Sequence, residues 1–266
     1  MKILIIPDVH GCTAWLDSFK KYHNDVDHIV FLGDYLDSFN ENEQGENGAK
    51  NLENILETTE PFKNKTALLF GNHDLCNYVI QGGCSGFQVK FFVRYNQILQ
   101  DNLSRFKIGV NLDNWVFSHA GFSKVWYENL IEVFRKKGFT SDLGDPLQIC
   151  DLILENKMFQ HFDYIRDPED FRRIGESIKQ GPLWIRPTAL IKDMYYPKQV
   201  VGHTEFQPGP LKILNKQNNT ILFCTDTQAH DKSYILDTET GTLNVEPQTF
   251  KMNDDYSFSK VSSENI

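Results

Sequence analysis

The stretch His28-Ile29-Val30-Phe31-Leu32-Gly33-Asp34-Tyr35-Leu36-Asp37 decides how this chain is organised. The apolar run Ile29 to Leu32 stops at a glycine, and Asp34 and Asp37 follow at once. A buried strand that hands carboxylates to the edge of a sheet has this form. The same grammar recurs elsewhere. Ile3 to Pro7 runs into Asp8-Val9-His10-Gly11, Ala67 to Phe70 into Gly71-Asn72-His73-Asp74, Trp115 to Phe117 into Ser118-His119-Ala120-Gly121, and Gln199 to Val201 into Gly202-His203-Thr204. Ligands of open α/β sheets sit at the carboxyl ends of strands, so these ends, rich in His, Asp and Asn, predict one shared metal site.

A chain of 266 residues can bury a large core without a disulfide or metal staple. It reads as one domain over residues 1–250, with a polar, loose tail over 251–266. The 27 basic and 36 acidic residues give a net charge of -9, which argues against general affinity for nucleic-acid backbones or anionic membranes. The five cysteines are odd in number and lack C-x-x-C spacing, so they read as reduced residues outside any metal site. Met1 to Ile6 is too short an apolar run for a signal peptide, and no segment approaches the roughly 18 apolar residues of a membrane span. A soluble, cytoplasmic protein is expected.

Taken in order, Thr13 is expected to cap a helix whose Trp15, Leu16, Phe19 and Tyr22 share a face. Ser38 to Gly48 reads as an exposed polar loop, followed by a short helix marked by Leu52, Ile55 and Leu56. Gln81 to Gly86 reads as a flexible break before a helix over Val89 to Leu99. A strand pair from Phe106 to Phe117 should turn near Asp113-Asn114. A helical insert is expected over about 122–197, with capping acids at Asp145 and Asp167, each before a proline. Trp126, Phe134, Leu152 and Ile153 should form its core. From Gln199 onward, short runs over Leu211–Leu214, Ile221–Cys224, Tyr234–Asp237 and Leu243–Val245 read as a meander in a second sheet.

Asp carboxylates, an Asn carbonyl and imidazoles form a mixed oxygen and nitrogen donor set that suits manganese, iron or zinc better than calcium. A carboxylate shared by two ions holds them about 3.5 to 4 Å apart, the spacing that activates a bridging hydroxide and clamps phosphoryl oxygens. Asp34, on the middle strand, is the candidate bridge.

The five motifs, in this order over Asp8 to Thr204, resemble the calcineurin-like metallophosphoesterases, and within them the phosphoprotein phosphatase branch of the bacterial and phage serine/threonine type. Thr225-Asp226-Thr227 before a hairpin extends the likeness toward the C-terminus. The resemblance implies a four-layer α/β/β/α sandwich with two mixed sheets and a dinuclear site. Asp8, His10 and Asp34 would hold one ion, and Asp34, Asn72, His119 and His203 the other. His73 would be the general acid and Asp37 its orienting partner, while Asn72 would also touch substrate. Two divalent ions are implied, manganese first, with iron or zinc as alternatives.

The departures from the pattern narrow the substrate. Where that branch carries a phosphate-gripping arginine after the aspartate of the second motif, this chain has Ser38-Phe39. Arg186, in Gly181-Pro182-Leu183-Trp184-Ile185-Arg186-Pro187, stands where bacterial-type members place a substrate arginine, its planar fork suiting phosphate; a surface ion pair is the plain alternative. Glu205 replaces the second histidine of many phosphodiesterases. The expected activity is hydrolysis of a phosphomonoester on a protein side chain. The alternatives are a small phosphorylated metabolite, nucleotide or dinucleoside polyphosphate as substrate, and a metal-containing binding module without turnover. No nucleic-acid or membrane partner is expected. His23, His28, His161 and His230 lie outside the motifs, though His230 is near enough to Thr225-Asp226-Thr227 to line a cleft. Arg94 reads as structural.

Overall fold

Strand β1 (Lys2–Ile6) buries all but its first residue, without the alternation of a half-exposed strand. Strand β2 (His28–Phe31) does the same. Such runs belong to parallel strands covered on both faces. The computed structural model describes residues 1–80, 83–139, 143–162, 175–227, 232–253, 255 and 258–261. It divides into two compact units, one of Met1–Ile108 with Gln228–Val245 and one of Gly109–Thr227 with Glu246–Ile266.

In the first unit, helix α1 (Trp15–Tyr22) follows β1 and helix α2 (Gly45–Thr59) follows β2. Strand β3 (Thr66–Leu69), helix α3 (Phe92–Asp101) and strand β4 (Phe106–Lys107) complete its N-terminal part. Strands β1 to β4 are parallel neighbours. Trp15 of α1 stands edge-on to Phe31 of β2, with ring centroids 5.7 Å apart, and its Nε1 donates to Asn51 of α2 at 3.0 Å. Trp15 and Phe19 are buried as the spacing predicts, but Thr13 makes no side-chain cap. Its carbonyl instead accepts from the Leu16 N–H at 3.1 Å. The polar stretch after Ser38 is also more ordered than its composition suggests. Asn40 caps a short 3-10 turn at Glu41–Glu43, and α2 then starts at Gly45, with Gly45 and Gly48 buried.

In the second unit, strands β5 (Gly109–Leu112) and β6 (Trp115–Ser118) form an antiparallel hairpin. Asp113 and Asn114 both take positive φ, 52° and 64°, as a two-residue hairpin turn requires. The helices α4 (Lys124–Lys136), α5 (Pro146–Glu155) and α6 (Pro187–Leu190) fall in the expected insert. Trp126, Phe134 and Ile153 are buried as expected, whereas Leu152 is only half-buried and Leu154 takes the inner position. Asp145 caps α5 in a reciprocal box with Gln148, and Pro146 begins the helix. Asp167 lies outside the described residues. Asp145→Ala should cost about 1 kcal/mol of stability, measurable as a lowered denaturant midpoint.

Strands β7 (Gln199–Val201), β8 (Leu211–Leu214) and β9 (Thr220–Cys224) continue the second sheet. The expected single meander then breaks. Strand β10 (Tyr234–Asp237) pairs antiparallel with β1, and β11 (Thr242–Leu243) pairs with β10, so both belong to the first sheet. The chain returns to the second sheet with β12 (Gln248–Met252), parallel to β8, and β13 (Phe258–Lys260) on its edge. The expected loose tail therefore begins with paired strand. The sheet orders are β11-β10-β1-β2-β3-β4 and β13-β12-β8-β9-β7-β6-β5. The mixed α/β class with two mixed sheets matches the expectation.

Candidate metal centre

Three loops of the first unit leave the carboxyl ends of neighbouring parallel strands. Ile6 lies beside Phe31, and Phe31 beside Leu68, so the motifs after β1, β2 and β3 emerge side by side. The Asp34 carbonyl accepts from the N–H groups of Val9 at 3.1 Å and His10 at 2.6 Å, and the Tyr35 carbonyl from Gly11 at 2.9 Å. Side chains join the second loop to the third. Asp34 Oδ1 accepts from the His73 N–H at 2.9 Å, while Asp74 accepts from the N–H groups of Tyr35 at 2.9 Å and Gly71 at 3.1 Å.

This closeness dictates residue type. A Cβ at Gly71 would fall 2.0 Å from Asp34 Oδ1, and one at Gly33, whose φ is 105°, would fall 2.3 Å from the Gly71 nitrogen. Non-glycine residues with positive φ mark the same places. His10 (41°), Asp34 (48°), Asp37 (64°) and His203 (62°) all adopt it. Each costs on the order of 1–3 kcal/mol, which a fold retains where the side chain must point one way.

His10, Asp34 and His73 each offer a ligand atom within 4.8 Å of the others. His10 Nδ1 lies 2.9 Å from the Leu36 carbonyl, which only accepts, so Nδ1 carries the proton. Nε2, 3.6 Å from Asp34 Oδ2, is then the ring nitrogen that ligates a cation when it carries no proton. Asp8, Asp34 and Asn72 are all buried. Carboxylates and an imidazole lone pair held together out of water are a donor set that fits a divalent cation.

His73 faces the other way through Nδ1, which lies 3.1 Å from Asp37 Oδ2. Burial lowers the imidazole pKa, but the Asp34 charge, the bond to Asp37 and the neighbouring Cys84 outweigh it and hold the pKa well above the ordinary histidine value. Asp74 is fully buried, and burial, followed by the Asp34 charge, pushes its carboxyl well up.

The second unit brings its two candidate histidines together. They follow β6 and β7, which pair in parallel, and the Gly202 N–H donates to the His119 carbonyl at 2.8 Å. His119 Nε2 lies 3.2 Å from His203 Nδ1. His203 Nε2 lies 3.2 Å from the Trp184 carbonyl, an arrangement that puts the proton on Nε2 and leaves the Nδ1 lone pair facing His119. The 3.2 Å contact is then a hydrogen bond from His119 Nε2, and with that proton lost the two nitrogens are close enough to ligate one cation.

Arg186 is exposed at the start of α6, and its stem lies against Gly175, where a Cβ would fall 2.4 Å from Cγ. Among the described residues no carboxylate pairs with it; Asp163, Asp167, Glu169 and Asp170 of the insert, which the alternative of a surface ion pair would draw on, lie outside them. Ser38, in the place of the gripping arginine, is buried and donates to Glu43 Oε2 at 2.8 Å. Phe39 beside it is 76 % exposed. Arg94 is structural as expected, bonded to Glu53 at 2.6 Å. His230 lies outside the described residues. Sequence reasoning assigned no role to Asp74, which bridges two loops, or to Asn77 and Tyr78, which both donate to Asp37. For Asp74 the signal was its place in Gly71-Asn72-His73-Asp74.

The sequence profile of the calcineurin-like phosphoesterase family matches residues 1–186. The chain belongs to that family. The match spans Asp8, His10, Asp34, Asp37, Asn72, His73, His119 and Arg186, and ends before His203. Membership identifies a metal-dependent phosphoesterase, in keeping with the carboxylate and imidazole clusters described above. Similar solved structures include a metallophosphoesterase from Sphaerobacter thermophilus, at 16 % identity over 91 % of this chain and 86 % of that one, with a TM-score of 0.45. A protein serine/threonine phosphatase from Saccharomyces cerevisiae matches at 14 % identity over 89 % and 72 %, also at 0.45. A phosphoesterase from E. coli matches at 13 % over 92 % and 97 %, at 0.37. No curated protein matches the chain.

Proposed function

We propose that this chain is a phosphomonoesterase of the serine/threonine protein phosphatase type. The observation that carries the reading is the His73–Asp37 pair, since a diester or monoester leaving group that departs as an alkoxide needs a proton and a carboxylate 3.1 Å from Nδ1 favours the protonated ring. Asp37 accepts from Nδ1, which leaves Nε2 as the nitrogen that gives up the proton to the departing oxygen. The choice of monoester over diester is supported by Glu205, which stands where diesterases of the wider family carry a further histidine.

Asp8, His10, Asp34, Asn72, His119 and His203 are the proposed ligands of two divalent ions, with Asp34 shared. Manganese is the proposed metal, and iron or zinc are the alternatives that the same donors accept. When bound, the ions supply Lewis acidity toward phosphoryl and water oxygens. Arg186 is proposed to grip the substrate phosphate with its exposed guanidinium, and Asn72 to contact it as well. A cytoplasmic location is proposed, in keeping with five free cysteines. Among the described residues no helix is long and apolar enough to cross a membrane.

A small phosphorylated metabolite, nucleotide or dinucleoside polyphosphate is the second reading. The bond from Ser38 to Glu43 favours it, because it puts a carboxylate where a protein phosphatase of this branch keeps a cation. The exposed Phe39 next to it offers a ring face to a base.

Turnover of an aryl phosphomonoester and its matching diester by manganese-loaded protein tests the proposal. Monoester preference is expected, with competition by a phosphopeptide stronger than by nucleotides. Diester preference would remove the phosphatase assignment, and stronger competition by nucleotides would move the substrate to the second class.

A further inference from the structure

The Asp37 carboxylate is held by more than His73, and we propose that Asn77 and Tyr78 are positioning residues that lock Asp37 so that His73 can deliver its proton. The inference rests on the phosphomonoesterase reading above. Asp37, Asn77 and Tyr78 are all buried, at 1 % exposure or less. Asp37 Oδ1 accepts from the Tyr78 hydroxyl, and Oδ2 accepts from both Asn77 Nδ2 and His73 Nδ1.

The direction of each bond is fixed by a second partner. The Tyr78 oxygen accepts from the Gln88 N–H at 3.1 Å, so its own proton is directed to Asp37. Asn77 Oδ1 accepts from the Cys84 N–H at 2.5 Å, which turns the amide's NH2 group toward Asp37. Neither side chain can reverse its role without stranding a backbone donor.

The backbone is wound to make this possible. His73–Ile80 is π-helical. Bonds from i to i+5 give about four to five residues per turn, so the residues four and five beyond His73 return to its face. An α-helical turn would return the third and fourth instead and carry Tyr78 away from Asp37. Eight consecutive residues in this rare winding, next to the motif that supplies the general acid, match the tendency of π segments to occur at functional sites. Asp37 itself holds a left-handed φ of 64°, which its three donors help to maintain.

A group that acts only by aiming a general acid matters in proportion to the leaving group's need for a proton. The test compares para-nitrophenyl phosphate, whose leaving group departs unaided, with glycerol phosphate, whose alkoxide does not. Tyr78→Phe keeps the ring among Phe87, Phe92 and Tyr95. Asn77→Ser serves as a second, smaller change. In each, kcat on glycerol phosphate is expected to fall about 10- to 100-fold, within the range that general acid catalysis supplies. The kcat on para-nitrophenyl phosphate should change less than about threefold, with KM for both substrates unchanged. Adding Asp37→Asn to Tyr78→Phe should produce little further loss, because the residues act as one unit. Equal loss on both substrates, or no loss on either, would overturn the positioning role. A wild-type protein that hydrolyses neither substrate would overturn the phosphomonoesterase reading, and this inference with it.

Discussion

Replacing His73 with alanine is expected to slow hydrolysis of an alkyl phosphomonoester by about 10²- to 10⁴-fold, the usual worth of a positioned general acid. The metal content should be unchanged. That second half carries the discrimination, because His73 also lies in a group with His10 and Asp34 whose ligand atoms are close enough to share an ion. Its Nδ1 is engaged by Asp37, and its main-chain N–H by Asp34 Oδ1. A ligand would take metal away when removed, whereas a general acid would take only rate. Steady-state kinetics on the alkyl ester, with metal analysis of the same preparation, separates the two. Loss of one ion per chain along with activity would reassign His73 as a ligand.

Gly71→Ala is expected to be among the most damaging single-methyl changes in the first unit. The added carbon would fall 2.0 Å from Asp34 Oδ1 and 2.3 Å from the Asp34 nitrogen, and both are pinned. Asp34 accepts from the His73 N–H through that oxygen, while its carbonyl accepts from Val9 and His10. No flexible side-chain end is available to yield, so the loops after β2 and β3 must separate. Overpacking of this kind costs about 1–3 kcal/mol, occasionally more, and a shift of Asp34 should weaken metal binding as well. Denaturant unfolding of the metal-free protein isolates the first effect, and manganese titration the second. Unfolding and titration curves superimposable on the wild type would show that the contact is relieved elsewhere.

Much of the candidate site is legible because its chemistry is local. The apolar runs ending at Asp8, Asp34, Asn72, His119 and His203 are real strand ends, and parallel pairing places the first three side by side. The hairpin at Asp113-Asn114 and the cap at Asp145 were legible for the same reason, since turn and cap chemistry depend on neighbours in sequence. The errors concern long-range pairing. Strand β10 looks like any other short strand, yet it pairs with β1 more than 220 residues away. Nothing in its own sequence distinguishes that edge from the meander beside it. The polar stretch from Glu41 reads as loop by composition, but burial of Gly45 and Gly48 and the Gln88 side chain's bond to the Gly45 N–H, at 2.9 Å, order it. The π-helical winding of His73–Ile80 is the clearest omission. Period counting assumes 3.6 residues per turn and would never place Tyr78 over Asp37.

The carboxylates and imidazoles of the two units are proposed to act through metal ions, and that claim is tested most directly by loading. Protein stripped of metal is titrated with manganese while para-nitrophenyl phosphate turnover is followed on the same sample. Turnover should be negligible without metal and should rise to a plateau as two ions bind per chain. Two tightly bound ions without turnover, or full turnover by the stripped protein, would contradict that claim.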